Sequence, residues 1–215
     1  MPEKALSDGR HLRRDQTRQK LVGAAKSVMA QTPAEAVTVD QITRNAKVGR
    51  GSFYNHFSSM DELFVCTLEE LISDIGESFA TGRQHFDDIA EFAAWSIQLM
   101  IERAVADPQL GWFIVNNTKS EPVLKAQIDT HVRAAIEAGM RAGRFQISDS
   151  ELWFTLGTAS TTAFIRGCLE GRLTVSQRAE LAATILQAAG LPRREALDVV
   201  ARSTFNPTDT GSFNT

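Results

Sequence analysis

Apolar positions recur at helical spacing along nearly the whole chain. Leu21, Ala24, Ala25, Val28 and Met29 form an i, i+3, i+4, i+7, i+8 stripe, the mark of a helix with one buried face. It predicts a first helix over about 16–31, stopped by Thr32-Pro33. A second helix is predicted from Thr38, whose hydroxyl can cap it with Gln41 at the capping-box position. It buries Val39, Ile42 and Ala46 and breaks at Lys47-Val48-Gly49. A short third helix follows over about 50–57. Ser58-Ser59 then caps a fourth that runs to about Phe79, with Asp61 and Glu62 in its first turn, where the helix dipole favours them.

The segment from Gly82 to Asp88 reads as a joint. Helical pattern resumes over about 89–105 and ends at Asp107-Pro108. Leu110 to Asn117 is a short apolar piece. Glu121-Pro122 reads as the start of a helix reaching about Gly143. Ser148 or Asp149 caps the next, to about Leu169, closed by Gly171. One more spans about 175–189 up to Gly190, and a last short one about 192–203. Period-2 alternation bounded by hairpin turns is not evident, so the expected class is all-α. Residues 1–15 read as a flexible basic arm, with Arg10, His11, Arg13 and Arg14 clustered before the first helix, and 205–215 as a disordered tail.

The net charge of −3 argues against a nucleic-acid partner until its distribution is considered. Residues 1–60 hold ten Lys/Arg against five Asp/Glu, whereas 61–215 hold thirteen against twenty-one. A basic head on an acidic body suits a small DNA-facing unit on a body that DNA repels. No stretch approaches the roughly 18 consecutive apolar residues of a membrane span. The first residues carry no apolar signal core either, so a cytoplasmic protein with no membrane partner is expected. Cys66 and Cys168 lie far apart, without a CxxC, and read as free thiols; no metal site is expected.

The most informative segment is Val37 to Phe64, VTVDQITRNAKVGRGSFYNHFSSMDELF. A helix of about nine residues, a tight turn with a glycine and a second short helix make a helix-turn-helix. The helices must cross closely, and Ala46 and Gly51 are small enough to allow it. Val39, Ile42, Val48 and Phe53 can anchor the pair to the first helix. The exposed face of the second helix must carry groups that reach bases and phosphates, and Arg50, Ser52, Tyr54, Asn55 and His56 do.

The run Gly51-Ser52-Phe53-Tyr54-Asn55-His56-Phe57, followed by Ser59-x-Asp61-Glu62-Leu63, resembles the signature of the tetracycline-repressor (TetR) family of ligand-responsive transcriptional regulators. The resemblance extends back through 37–42 to the first helix and covers roughly residues 16–72. It implies a helix-turn-helix DNA-binding domain over 16–60 and a helical ligand-binding and dimerisation domain over 61–204. It also implies a homodimer formed by the last long helices (about 150–190), a palindromic operator and a small-molecule effector. Most members repress; some activate.

By position, Thr38 is expected to hold a phosphate. Arg44, near the end of its helix, can reach the groove. Arg50 and Ser52 enter the major groove, with Gly51 between them. Tyr54 and His56 contact phosphates, and Asn55 reads a base. Two positions depart from the family pattern. Gly49 stands where a Ser or Thr often caps the recognition helix, and Met60 where a Lys often holds a phosphate.

In the body, Trp95, Gln98, Trp112, Phe113, Asn116 and Phe164 are the candidate ligand residues, as large apolar groups with polar ones among them. The small-residue run from Leu156 to Ala163 permits close helix approach. No cofactor is expected. Gly49-x-Gly51 lacks the third glycine of a dinucleotide loop, and there is no P-loop, HExxH or Gly-x-Ser-x-Gly. Two alternatives stand: a DNA-binding protein without ligand control, which a solid body core would favour, and, more remotely, an all-helical enzyme.

Overall fold

The computed structural model describes residues 3–33, 36–116, 133–134 and 136–204. They are helical with no strand among them. In chain order the elements are α1 (Glu3–Gln31), α2 (Val39–Ala46), α3 (Arg50–Tyr54), α4 (Met60–His85), α5 (Ile89–Ala106) and α6 (Pro108–Asn116). Helical residues 133–134 and 136–141 precede α7 (Ser150–Leu169). A 3₁₀ turn (Val175–Gln177) leads into α8 (Arg178–Ala188), and α9 (Arg193–Arg202) follows. The expected helix start at Glu121-Pro122, Asn117 and the tail 205–215 lie outside the described residues.

The first helix departs from expectation. It begins at Glu3, so most of the segment expected to be a flexible arm over 1–15 is helix. The segment from Glu3 to Leu6 consists of good helix formers, and Gly9 costs only about 1 kcal/mol. Extending a helix already nucleated over 16–31 needs no new nucleus. The fourth helix likewise runs through the expected joint at Gly82 to His85. Gly82 is there because α5 crosses close by: a Cβ at this position would sit 2.3 Å from the Trp95 ring. Asp88 then caps α5, accepting from the Ala90 N–H at 2.9 Å.

One continuous core runs from head to body. In the head, Leu21, Ala25 and Met29 of α1 meet Ile42 of α2 and Phe53 and Phe57, all essentially without solvent exposure. The chain of contacts passes up α4 through Leu63, Phe64 and Leu68 into the body. There Phe64 stacks on Phe113 of α6, with centroids 5.2 Å apart and planes 17° apart. α1 also packs along α6, so the head rests on the body through two helices rather than one. At the far end Arg144 ties three segments together. Its Nε and Nη2 donate to the Asp88 carboxylate at 3.0 and 2.8 Å, and its Nη1 donates to Glu195 of α9. Burial works to raise the Asp88 pKa, but the bonds from Arg144 and the Ala90 N–H outweigh it, and the net shift is downward.

Candidate nucleic-acid interface and ligand cavity

The head is built on local capping. Thr38 starts α2 in extended backbone. Its Oγ1 accepts from the Gln41 N–H at 3.3 Å, and Gln41 Oε1 accepts from the Thr38 N–H at 2.8 Å. Two donors that the helix cannot satisfy are thereby paired. The turn after α2 is made by Lys47, at φ 55°, with its N–H donating to Arg44 O at 3.2 Å. The expected glycine does not make it: Gly49 has φ −73° and begins α3 without a side-chain cap. A left-handed conformation at a residue with a Cβ costs about 1–2 kcal/mol, which the flanking α2–α3 packing must offset.

Phe53 anchors α3 inward, and Tyr54, 54% exposed, meets it edge-on at 5.2 Å. Phe57 lies under the Arg18 guanidinium, 5.1 Å from the ring centroid. Arg18 Nη2 also donates to Cys66 Sγ at 2.9 Å, tying α1 to α4. Arg50 forms an ion pair with Asp40 at 3.4 Å; both are largely exposed. Its pKa is raised by a hydrogen bond with Tyr54 and by Asp40, so Arg50 stays charged. The His56 imidazole is pushed below its ordinary value by burial and by the nearby Arg14 and Arg18. At the start of α4, Ser59 accepts from the Glu62 N–H at 3.1 Å, and the Glu62 carboxylate accepts from Ser58 N–H and Oγ at 2.6 Å each.

The body contains a partly open cavity of about 100 Å³. α4 supplies Phe79, and α5 supplies Ser96, Ile97 and Met100. Ile114 of α6 and Ile185 of α8 close two further sides. The longest wall is α7, with Trp153, Phe154, Gly157, Thr158, Thr161, Thr162 and Ile165. Among the described residues none of the lining carries a charge.

Comparison with known proteins joins these two sites. Residues 21–65 match the family model for bacterial regulatory proteins of the tetR family. Residues 88–202, more than half the chain, match the tetracyclin repressor-like C-terminal domain. The chain belongs to the TetR family. It is therefore a DNA-binding transcriptional regulator by family, and not an enzyme.

Among solved structures, RolR in complex with resorcinol shares 27% identity at a TM-score of 0.71, covering 91% of this chain and 98% of that one. SmeT, repressor of the SmeDEF multidrug efflux pump of Stenotrophomonas maltophilia, has the same fold at 14% identity and a TM-score of 0.62, with 80% and 91% covered. The curated HTH-type transcriptional activator FasR of Mycolicibacterium smegmatis is 25% identical over 132 residues. The chain spans 60% of that relative's length.

In this TetR-family head, Thr38, Arg44, Arg50, Gly51, Tyr54 and Asn55 are exposed, and Ser52 and His56 are half-buried. Gly51 needs a corrected role. A Cβ there would meet nothing within 4 Å, so it does not serve the helix crossing; Ala46, buried, does. The structure adds two basic residues beside His56, Arg14 and Arg18. Arg14 belonged to the basic cluster, but nothing local tells that Arg18 reaches His56 and Phe57. Lys47 also stands exposed in the turn.

In the body, none of the six expected ligand residues lines the cavity. Trp95 packs between Phe79 and Phe86, 6.0 and 5.7 Å away, against Gly82. Gln98 donates to Ser203 Oγ at 3.2 Å, and Asn116 donates to the Ala30 carbonyl at 2.9 Å. Phe113 stacks on Phe64, Phe164 is buried in the core and Trp112 packs at its edge. Large aromatic side chains fill space, so they mark the packed core. The cavity opens instead where α7 carries small residues.

No helix among the described residues is long and apolar enough to cross a membrane. Cys66 and Cys168 are free thiols.

Proposed function

We propose that this chain represses transcription by binding a palindromic operator as a homodimer, and that a small molecule entering the body cavity releases it. The observation that carries the reading is the position of α6. Ile114 lines the cavity. Its neighbour Phe113 stacks on α4, and Asn116 holds the end of α1. A ligand that displaces Ile114 therefore acts on both helices that seat the head. Resorcinol in RolR, a relative with 27% identity over nearly its full length, supports a small-molecule effector.

Dimerisation has its own support. Leu152 and Leu156 on α7 are 68% and 47% exposed, on a helix that also exposes Ala159 and Ala163. One recognition helix of five residues reads few base pairs, and a two-fold dimer doubles them. Thr38, Arg44, Arg50, Gly51, Ser52, Tyr54, Asn55 and His56 are the proposed contacts. Activation, the role of FasR, is the second reading.

The test is a gel-shift titration against the DNA flanking the protein's own gene, at fixed moderate salt with excess competitor. A discrete complex that survives competitor and leaves a two-fold symmetric footprint is expected. Complexes that competitor removes, at every flanking fragment, overturn an operator there.

A further inference from the structure

The hydroxyl groups on the cavity wall divide into two kinds. In the other helices of this protein, four threonine hydroxyls are spent on the carbonyl four residues back: Thr43 on Val39, Thr67 on Leu63, Thr81 on Glu77 and Thr184 on Glu180. Ser96, on the cavity wall, does the same with Phe92. The indole N–H of Trp153 is also spent, on the Ile185 carbonyl at 3.3 Å. Thr158, Thr161 and Thr162 differ. All three line the cavity, and among the described residues none of them has a hydrogen-bond partner. Thr161 is only 9% exposed. Their i, i+3, i+4 spacing puts them on one face of α7. Their oxygens are not among the buried unpartnered side-chain atoms, so they open onto the cavity space and stand ready to bond a ligand there.

Resting on the effector reading above, we propose that the cavity takes an uncharged, largely aromatic molecule bearing a hydroxyl or carbonyl group, recognised by the hydroxyls of Thr158, Thr161 and Thr162. The aromatic walls Phe79, Trp153 and Phe154 hold its ring system. The threonines, able both to donate and to accept, hold its polar end. A carboxylate or ammonium group entering this lining loses its hydration without a counter-charge.

The experiment is equilibrium dialysis of the full-length protein at neutral pH with naphthalene, 2-naphthol and 2-naphthoate in turn. 2-Naphthol is expected to bind at least about tenfold more tightly than 2-naphthoate. Thr161→Val, which removes the hydroxyl at nearly constant shape, is expected to weaken 2-naphthol roughly threefold to tenfold and to leave naphthalene unchanged or tighter. Thr161→Ser, which keeps the hydroxyl, restores the preference, and Thr184→Val changes nothing. Equal loss for naphthalene and 2-naphthol in Thr161→Val overturns the threonine assignment while leaving a ligand cavity in place. A preference for 2-naphthoate overturns the uncharged class. Binding of none of the three by the wild type overturns the effector cavity itself, and this assignment with it.

Discussion

Replacing Thr38 by Ala tests the head at its most economical point. α2 has eight residues, too few to be helical alone, so its ends and its packing decide whether it forms. The substitution removes Oγ1, which leaves the Gln41 N–H unpaired and takes away the hydroxyl's bond to Gln41 Oε1 at 3.0 Å. Loss of such a cap costs about 1 kcal/mol, within a range of roughly 0.5–2. Head and body share one continuous core, so they are expected to melt together. For a chain of this size the loss lowers Tm by about 2–4 °C per kcal/mol. Thr38→Ser keeps the acceptor and should melt close to wild type. Gln41→Ala breaks the other half of the box, and Thr38→Ala/Gln41→Ala should cost less than the two singles added, because the bonds form as one unit. The measurement is thermal denaturation followed by circular dichroism on all four variants, at low protein concentration without DNA. An unchanged Tm for Thr38→Ala, or full additivity of the two singles, would refute the reasoning.

Arg50→Ala should weaken binding to the operator by about 1–3 kcal/mol and binding to random DNA by less; equal loss in both, read by competition gel shift, would reduce Arg50 to a phosphate contact. Phe113→Ala should cost about 3–5 kcal/mol because the ring is fully buried and stacked on Phe64; a loss under 1 kcal/mol in urea unfolding would contradict its place in the core. The depressed His56 pKa has a defined sign. Below its ordinary value of 6.5 the unfolded chain takes up a proton that the folded head resists, so stability falls as pH drops from about 6.5 towards the folded value. Replacing His56 by Gln should flatten the fall in Tm over that window, and an identical slope in the two proteins would show that His56 does not contribute. Gly82→Val should destabilise more than Gly76→Val, since only the former meets Trp95; comparable Tm values would contradict the close crossing.

Much of this protein is written in local sequence. The capping box at Thr38 and Gln41, the Ser59 cap, the Asp149 cap and the spacing of Leu21, Ala25 and Met29 act within one or two turns, so all were legible without a fold. The recognition segment was legible for the same reason: its inward anchors Phe53 and Phe57 and its outward polar groups lie within one short stretch, the helix α3 and the turn that follows it.

What the tertiary structure decided are matters of which surfaces meet. Nothing around Gly82 says that α4 continues through it; only the Trp95 ring arriving from α5 explains the missing side chain. The left-handed turn falls on Lys47 rather than on the neighbouring glycine because α2–α3 packing, not intrinsic preference, sets the backbone there. The cavity was the least legible feature. Bulky residues such as Trp95 and Phe113 close gaps wherever helices converge, whereas empty space appears only where several helices jointly fail to fill it. In this body that happens opposite Gly157 and the unpaired threonines of α7, because small side chains leave the void and only the placement of four other helices determines that nothing else occupies it.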